Sequence, residues 1–298
     1  MNPAFKSLWQ LTKRTGSDAL AKAASVPTIK RQLDRFSLEL DRALTPEVAS
    51  TGDFYGQRYF VGAKTTQAGK TSGYENYARH NSHADVLAEL IAKGVPGQQT
   101  LDVGCARGFL VEALLEHGRD AIGCDGSLYA VNTAARGARG RLHHADLRKP
   151  LPFADRSFDL VTAFETLEHV PPADVPHAVR ELARLTRKTV IVTIPSFGPR
   201  PPLPPGWFEA KVRGERLAHY KRLPPEFDGP IPPEDLACDA EGHPVEGHVC
   251  IASFAWWRRQ FEAAGLVADP ALDQWAHEQL KPHGLHIYLD WMTFRVRS

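Results

Sequence analysis

No apolar run in this chain approaches the ~18 residues that a membrane-spanning helix requires, and no secretory hydrophobic segment is visible. Neither a spanning anchor nor an exported chain is expected. Excess charge of one sign is missing too. Lys and Arg number 36 against 35 Asp and Glu, a formal net charge of +1, which removes the global electrostatic case for a nucleic acid or an acidic partner. Cysteine is scarce, four in 298 residues, and does not form a disulfide framework. Cys105 and Cys124 fall inside predicted strand–turn elements, so a reducing, cytoplasmic setting is expected. The composition that remains, 43% hydrophobic and 24% charged, is globular and able to bury a substantial core.

The most informative stretch is Leu101-Asp-Val-Gly-Cys-Ala-Arg-Gly108. Leu101 and Val103 around Asp102 read as a short buried strand, and Gly104, Cys105 and Ala106 as a tight turn of small residues. From Gly108 the apolar spacing turns helical through Phe109, Leu110, Ala113 and Leu114, and Gly118 stops it. A second strand, 121–125, ends in Asp125, followed by Gly126. This is a βαβ mononucleotide unit whose glycines admit a ligand to the backbone and whose acid can accept two ribose hydroxyls. The spacing is Gly-x-x-x-Gly, not the dinucleotide Gly-x-Gly-x-x-Gly. The turn offers Asp102 and open backbone, which suit a ligand with an amine and a positive centre rather than a pyrophosphate.

The alternation continues downstream. Predicted strands cover 141–146, 158–165 and 189–194, with a helix at 174–186 and another at about 83–93 closing at Gly94. Strands alternating with helices imply a doubly wound, mostly parallel α/β sheet with ligands beyond the carboxyl ends of its strands. Asp102, Asp125, Asp146 and Glu165 all fall there. Residues 1–50 read as a helical N-terminal extension and 51–298 as the main domain. A solvated helix pair explains the first 33 residues, with six Lys/Arg and one acid, Asp18, better than a targeting peptide does. Gly69-Lys70-Thr71 is not a phosphate loop, because Lys64 stands where its first glycine belongs. The proline-rich, aromatic segment 195–247 is too long for an ordinary loop and reads as an ordered lid insertion. A helix at 253–264, a strand at 266–268 and a final strand at 286–296 complete the pattern.

The 101–108 run resembles motif I of the class I S-adenosylmethionine (SAM) methyltransferases, with Asp125 in the position of their ribose-binding acid. Over 74–195, and less closely over 248–298, the chain is similar to that family. The resemblance implies a seven-stranded sheet ordered 3-2-1-4-5-7-6, its last strand antiparallel. It also implies that Asp146 and Leu147 meet the adenine ring and that Tyr77 or Arg79 meets the methionine carboxylate. The implied cofactor set is Tyr77, Asp102, Gly104, Cys105, Ala106, Gly108, Asp125, Gly126, Asp146, Leu147 and Glu165. Glu165-Thr-Leu-Glu168-His169 resembles the ubiquinone-biosynthesis O-methyltransferases and the small-RNA 2′-O-methyltransferases. In the latter these three residues and a later histidine hold Mg²⁺, and His248 occupies the matching region here.

Methyl transfer from a sulfonium needs an in-line nucleophile about 3 Å away, and a hydroxyl needs a base or a cation to become one. Glu165, Glu168 and His169 are therefore the expected catalytic residues, and Glu165, Glu168, His169 and His248 the expected ligands should Mg²⁺ or another divalent metal take part. Without metal, His169 is the base or a substrate partner. Of Cys238, His243, His248 and Cys250, the two histidines have zinc-ligand spacing but the cysteines are not paired at it, so scattered polar loop residues are expected rather than a zinc site. No basic stripe with stacking aromatics adjoins the site, so no nucleic-acid partner is expected. The expected reaction is O-methylation of a small hydroxylated acceptor: a sugar, a glycolipid or an aromatic natural product. N- or C-methylation without metal, or a non-catalytic SAM-binding subunit, remains the alternative, and monomer and homodimer are both open.

Overall fold

A computed structural model describes residues 55–61, 74, 76–206, 208, 211–214, 216–217, 220, 229–238 and 242–297, all inside one compact unit, Ser50–Ser298. The expected helical extension over 1–50 and the segment around Gly69-Lys70-Thr71 lie outside the described residues.

Seven strands form the central sheet. They are β1 (Gln99–Val103), β2 (Asp120–Asp125), β3 (Leu142–His144), β4 (Phe158–Phe164), β5 (Thr186–Thr193), β8 (Leu266–Ala268) and β9 (Trp291–Val296). A separate pair, β6 (Ser196–Phe197) and β7 (Ala252–Ser253), lies just past the end of β5. The sheet order is β3-β2-β1-β4-β5-β9-β8, the order that the family resemblance implied. β9 runs antiparallel to both neighbours, with Trp291 opposite Thr193 and Phe294 opposite Ala268. Apolar cores on both faces explain why β4 reads Phe-Asp-Leu-Val-Thr-Ala-Phe rather than as a polar–apolar alternation. One core is built on α5 (Val175–Leu185) and α6 (Phe254–Ala263). The other is built on α2 (Ala84–Gly94), α3 (Phe109–Glu116) and α7 (Pro270–Leu280). Two short helices, α1 (Gln57–Phe60) and α4 (Leu128–Asn132), sit beside each other near the end of β2.

Several boundaries differ from the sequence reading. β5 begins at Thr186, directly after α5, because Thr186 pairs with Phe158 and its hydroxyl bonds to the Thr189 carbonyl at 2.9 Å. The final strand starts at Trp291, not 286. Before it, the buried Asp290 receives the Ile194 and Ser196 amides, each at 3.2 Å, and so closes the end of β5. Helix α7 was missed, although its start was readable: Asp269 accepts the Leu272 amide at 3.1 Å as N-cap, and Pro270 occupies the first turn.

The described part of 195–247 has its own small core of Phe197, Phe208, Val212, Tyr220, Ile231 and Leu236, joined by Ile251. Asp235 ties it together by accepting from Tyr220 and from Arg216 at 3.0 Å.

Gly94 ends α2 against α7, and a Cβ there would lie 2.0 Å from the Trp275 ring. The helix ends at Gly94 as expected, and the same residue is a packing glycine. Gly94→Val should cost about 2 kcal/mol through overpacking. Urea denaturation would measure this, and Trp275→Ala should recover part of the loss.

Candidate active site

The carboxyl ends of β1, β2 and β4 converge on the 104–108 turn. Gly104 (φ 74°) and Cys105 donate their amides to the Cys124 carbonyl at 2.8 and 3.1 Å, which fastens the turn to β2. Gly104 leaves room for Thr166, whose Oγ1 would lie 2.2 Å from an added Cβ and which bonds to the Val103 and Phe164 carbonyls at 3.2 and 3.0 Å. Gly108 (φ 75°) does the same for Ala138 and Leu142. Ala106 takes the left-handed conformation (φ 48°) without being glycine, and its amide donates to Asp125 Oδ2 at 2.7 Å. The Ser127 amide reaches Asp125 Oδ1, also at 2.7 Å. Two backbone donors thus fix the Asp125 carboxylate at the end of β2. The Gly126 carbonyl lies 3.0 Å from His144 Nε2.

Asp102 is 4% exposed. Burial pushes its carboxyl up to about 7, opposed by the Thr162 hydroxyl at 2.8 Å and reinforced by the charge of Asp125. Thr162 is its register partner across β1 and β4. Burial also pushes the Cys105 thiol well up; its sulfur fills the space left by Gly123, a packing role. Asp146 is held below the usual carboxylate range by Arg148, which clamps both its oxygens at 2.9 Å. Leu147 is buried in the core beside it. Tyr77 packs on Tyr74, Phe109 and Phe60 at 4.7, 5.4 and 5.9 Å between ring centres. Arg79, expected as an alternative cofactor contact, is instead bound to Asp85, Glu112 and Glu116.

The second group of residues lies past β4. Glu165 takes a left-handed conformation (φ 49°), and its amide donates to the Thr193 carbonyl and hydroxyl at 2.9 and 3.1 Å. Its carboxyl is pushed up to about 7 by burial, against the pull of Lys211, and Oε1 has no hydrogen-bond partner. Glu168 is fully buried with neither carboxylate oxygen partnered. Burial, and then the charge of Glu165, drive its carboxyl well above the ordinary range. The Glu168 carbonyl receives the Val249 and Cys250 amides at 2.9 and 3.0 Å, and this brings His248 alongside. His248 Nε2 stands 3.8 Å from Glu168 Oε1, and its ring lies 4.9 Å from that of His169. His169 Nδ1 meets the Gly247 carbonyl and the Tyr55 hydroxyl, each at 3.1 Å. A proton on Nδ1 donated to Gly247 leaves Nε2 as the lone-pair nitrogen. Burial lowers His169 to about 4 and His248 well below its usual value, so both rings are neutral.

Ligand atoms of Glu168, His169 and His248 all lie within 4.8 Å of one another. Glu165, the fourth expected ligand, is not in that set. The cysteines near His248 join no such group among the described residues; Cys238 is exposed and Cys250 buried. Sequence reasoning missed Lys211 and Glu246. They bring an ion pair of 3.0 Å to the cluster, with Lys211 only 3% exposed. Both come from the insertion, where no motif or periodicity marks them. Tyr55 and Thr162 lie outside the insertion, Thr162 within β4, and no motif marks either of them as a site residue.

Residues 101–194 match the methyltransferase-domain family. The chain is 40% identical over 94 residues to the ubiquinone biosynthesis O-methyltransferase of Methylococcus capsulatus, covering 30% of this chain and 40% of that protein. It is 34% identical over 112 residues to the protein of the same name from Alkalilimnicola ehrlichii, covering 34% and 42%. The match thus spans less than half of these relatives' length. Among solved structures, magnesium protoporphyrin IX methyltransferase from Synechocystis is 16% identical at a TM-score of 0.42, over 74% of this chain and 80% of that one. The likeness to a methyltransferase domain thus rests on residues 101–194, which carry β1 to β5 of the strand order described above.

The buried groups give the site opposite pH signatures. Glu168 is protonated in the fold where the unfolded chain ionises, so its burial costs stability as pH rises above about 4. The histidines are neutral in the fold where the unfolded chain protonates, so their burial costs stability as pH falls below about 6.5. Denaturation midpoints should show Glu168→Gln gaining on the unaltered protein from pH 5 to pH 8. His248→Asn should gain on it in the other direction, from pH 8 to pH 5.

Proposed function

We propose that the chain methylates an oxygen of a small hydroxylated acceptor, a vicinal diol of aromatic or sugar type, with a divalent cation held by Glu168, His169 and His248. The observation that carries this is the state of Glu168. A carboxylate with no solvent and no donor on either oxygen is costly, and two neutral imidazoles face it. This donor set fits a cation, and two nitrogens to one oxygen favour Mn²⁺, Fe²⁺ or Zn²⁺ over Mg²⁺. The name of the relatives supports oxygen as the accepting atom.

When bound, SAM supplies an electrophilic methyl group and the cation a Lewis acid for the acceptor hydroxyl. The rest falls to the chain. Asp125, oriented by two amides, meets the ribose hydroxyls, and Leu147 offers an apolar wall to the base. Tyr77, with Gly104, Cys105, Ala106, Gly108 and Gly126, shapes the backbone pocket, and Asp102 faces the amine. Asp146 contributes through its backbone, its carboxylate being engaged by Arg148. Glu165, outside the cation set and poised near 7, takes the acceptor proton on Oε1. Lys211 and Glu246 bring the insertion over the cluster and exclude water.

S-adenosylhomocysteine at 100 times its Kd should stabilise the protein by about 2.7 kcal/mol; no shift at saturation sinks the methyltransferase reading. Turnover of catechol- and sugar-type acceptors should stop with chelator and return with Mn²⁺. Mn²⁺ binding followed by electron paramagnetic resonance should weaken about 100-fold or more in Glu168→Gln and His248→Asn. The shift given by S-adenosylhomocysteine should survive in both. Turnover that ignores chelator would remove the cation and leave methyl transfer standing.

A further inference from the structure

Away from the cluster, a pocket of about 440 Å³ opens between the Gly198–Leu203 turn, the start of α6, and β9. None of Glu165, Glu168, His169, His248 and Lys211 lines it. Its volume is that of a small-molecule site. Phe197, Leu203, Phe254, Met292 and Phe294 make its walls apolar, and its charged members are Arg200, Arg258 and Asp273.

Arg200 is the unusual one. Its guanidinium lies over the Phe254 ring at 4.4 Å, and Nη1 donates to the Trp291 carbonyl at 2.5 Å. Nε and Nη2 are buried with no hydrogen-bond partner. These two nitrogens share one edge of the guanidinium, and their N–H bonds run parallel, the fork that takes a carboxylate through two bonds. Stripping water from such an edge without replacing its bonds is unfavourable. Asp273 Oδ1 is also unpartnered. Burial pushes that carboxyl up to about 7, so below neutrality it offers a proton rather than a repelling charge. Arg258 at the rim is 59% exposed and lies 3.7 Å from Glu262, so its charge is already matched.

We propose that this pocket binds an apolar monocarboxylate, an aryl or medium-chain alkyl acid, with the Arg200 side chain turning its Nε–Nη2 edge onto the carboxylate and the apolar body against Phe254, Met292 and Phe294. The proposal follows from complementarity: the unpartnered guanidinium edge of Arg200 selects an anion, and the walls select a hydrocarbon body. It needs neither cofactor nor turnover, so it stands or falls apart from the methyl-transfer reading.

The test is calorimetric titration of the full chain at pH 6.5 with 4-butylbenzoate and octanoate, and with their neutral amides. The acids should bind one to one at about millimolar Kd or tighter, and the amides at least about tenfold more weakly. Arg200→Gln, which keeps a donor for Trp291, should weaken acid binding at least about tenfold. Ala255→Trp, which fills the pocket from the first turn of α6, should abolish it. Lys211→Met, at the other site, should leave it unchanged. Absent binding, equal binding of acid and amide, binding that survives Ala255→Trp, or binding lost in Lys211→Met would each overturn the proposal. Should Arg200→Gln not fold, the acid–amide pair and Ala255→Trp decide.

Discussion

The site depends on two backbone hydrogen bonds, from the amides of Val249 and Cys250 to the Glu168 carbonyl. They fasten the chain returning from the insertion onto the end of β4. Without them His248 would have no reason to lie beside His169, and Glu168 would not be sealed from water. The same return segment carries Gly247, whose carbonyl orients His169 from 78 residues away. It then runs on into β7, which pairs with β6 past the end of β5. A main-chain connection thus sets the electrostatics of the cluster: it buries a carboxylate and supplies imidazoles rather than solvent.

The two halves of the site are built on different physical terms. At the 104–108 turn, polarity is satisfied. Asp125 is held by two amides and Asp102 by Thr162, and the glycines make room for side chains that pack from elsewhere. Past β4, polarity is left open, with unpartnered oxygens on Glu165 and Glu168 and an unpartnered nitrogen on His248. A preformed, bonded cradle suits a ligand recognised by shape and hydrogen bonds. An unsatisfied, desolvated cluster suits a cation and a proton transfer. Side by side, they are what a group transfer between two bound molecules requires.

The strand-end acids show how far a sequence pattern reaches. Asp102, Asp125, Asp146 and Glu165 were placed at the ends of β-strands by alternation alone, and the strands ending or bordering there follow the expected order. Their individual fates did not follow. Asp146 is taken by Arg148 two residues later, and Arg79 by three acids on its own surface. Glu165 stands outside the three-residue group that its neighbour Glu168 joins. The insertion was the least legible part. Its composition suggested order, and its described residues do share a core, but nothing local marked Lys211 or Glu246 as reaching the cluster. Helix α7 is different, because Asp269 and Pro270 make its start legible in the sequence.

The sequence by itself determined the succession of strands and helices, the glycine turn and the positions of the acids, because these rest on short-range periodicity and backbone sterics. Only the tertiary structure decided which acids are neutral, which are paired and which face a histidine. Protonation and pairing depend on burial and on neighbours that are distant along the chain. Asp102, the penultimate residue of β1, and Asp146, two residues past the end of β3, are the same residue type, yet one is driven toward neutrality by burial and the other held ionised by an arginine.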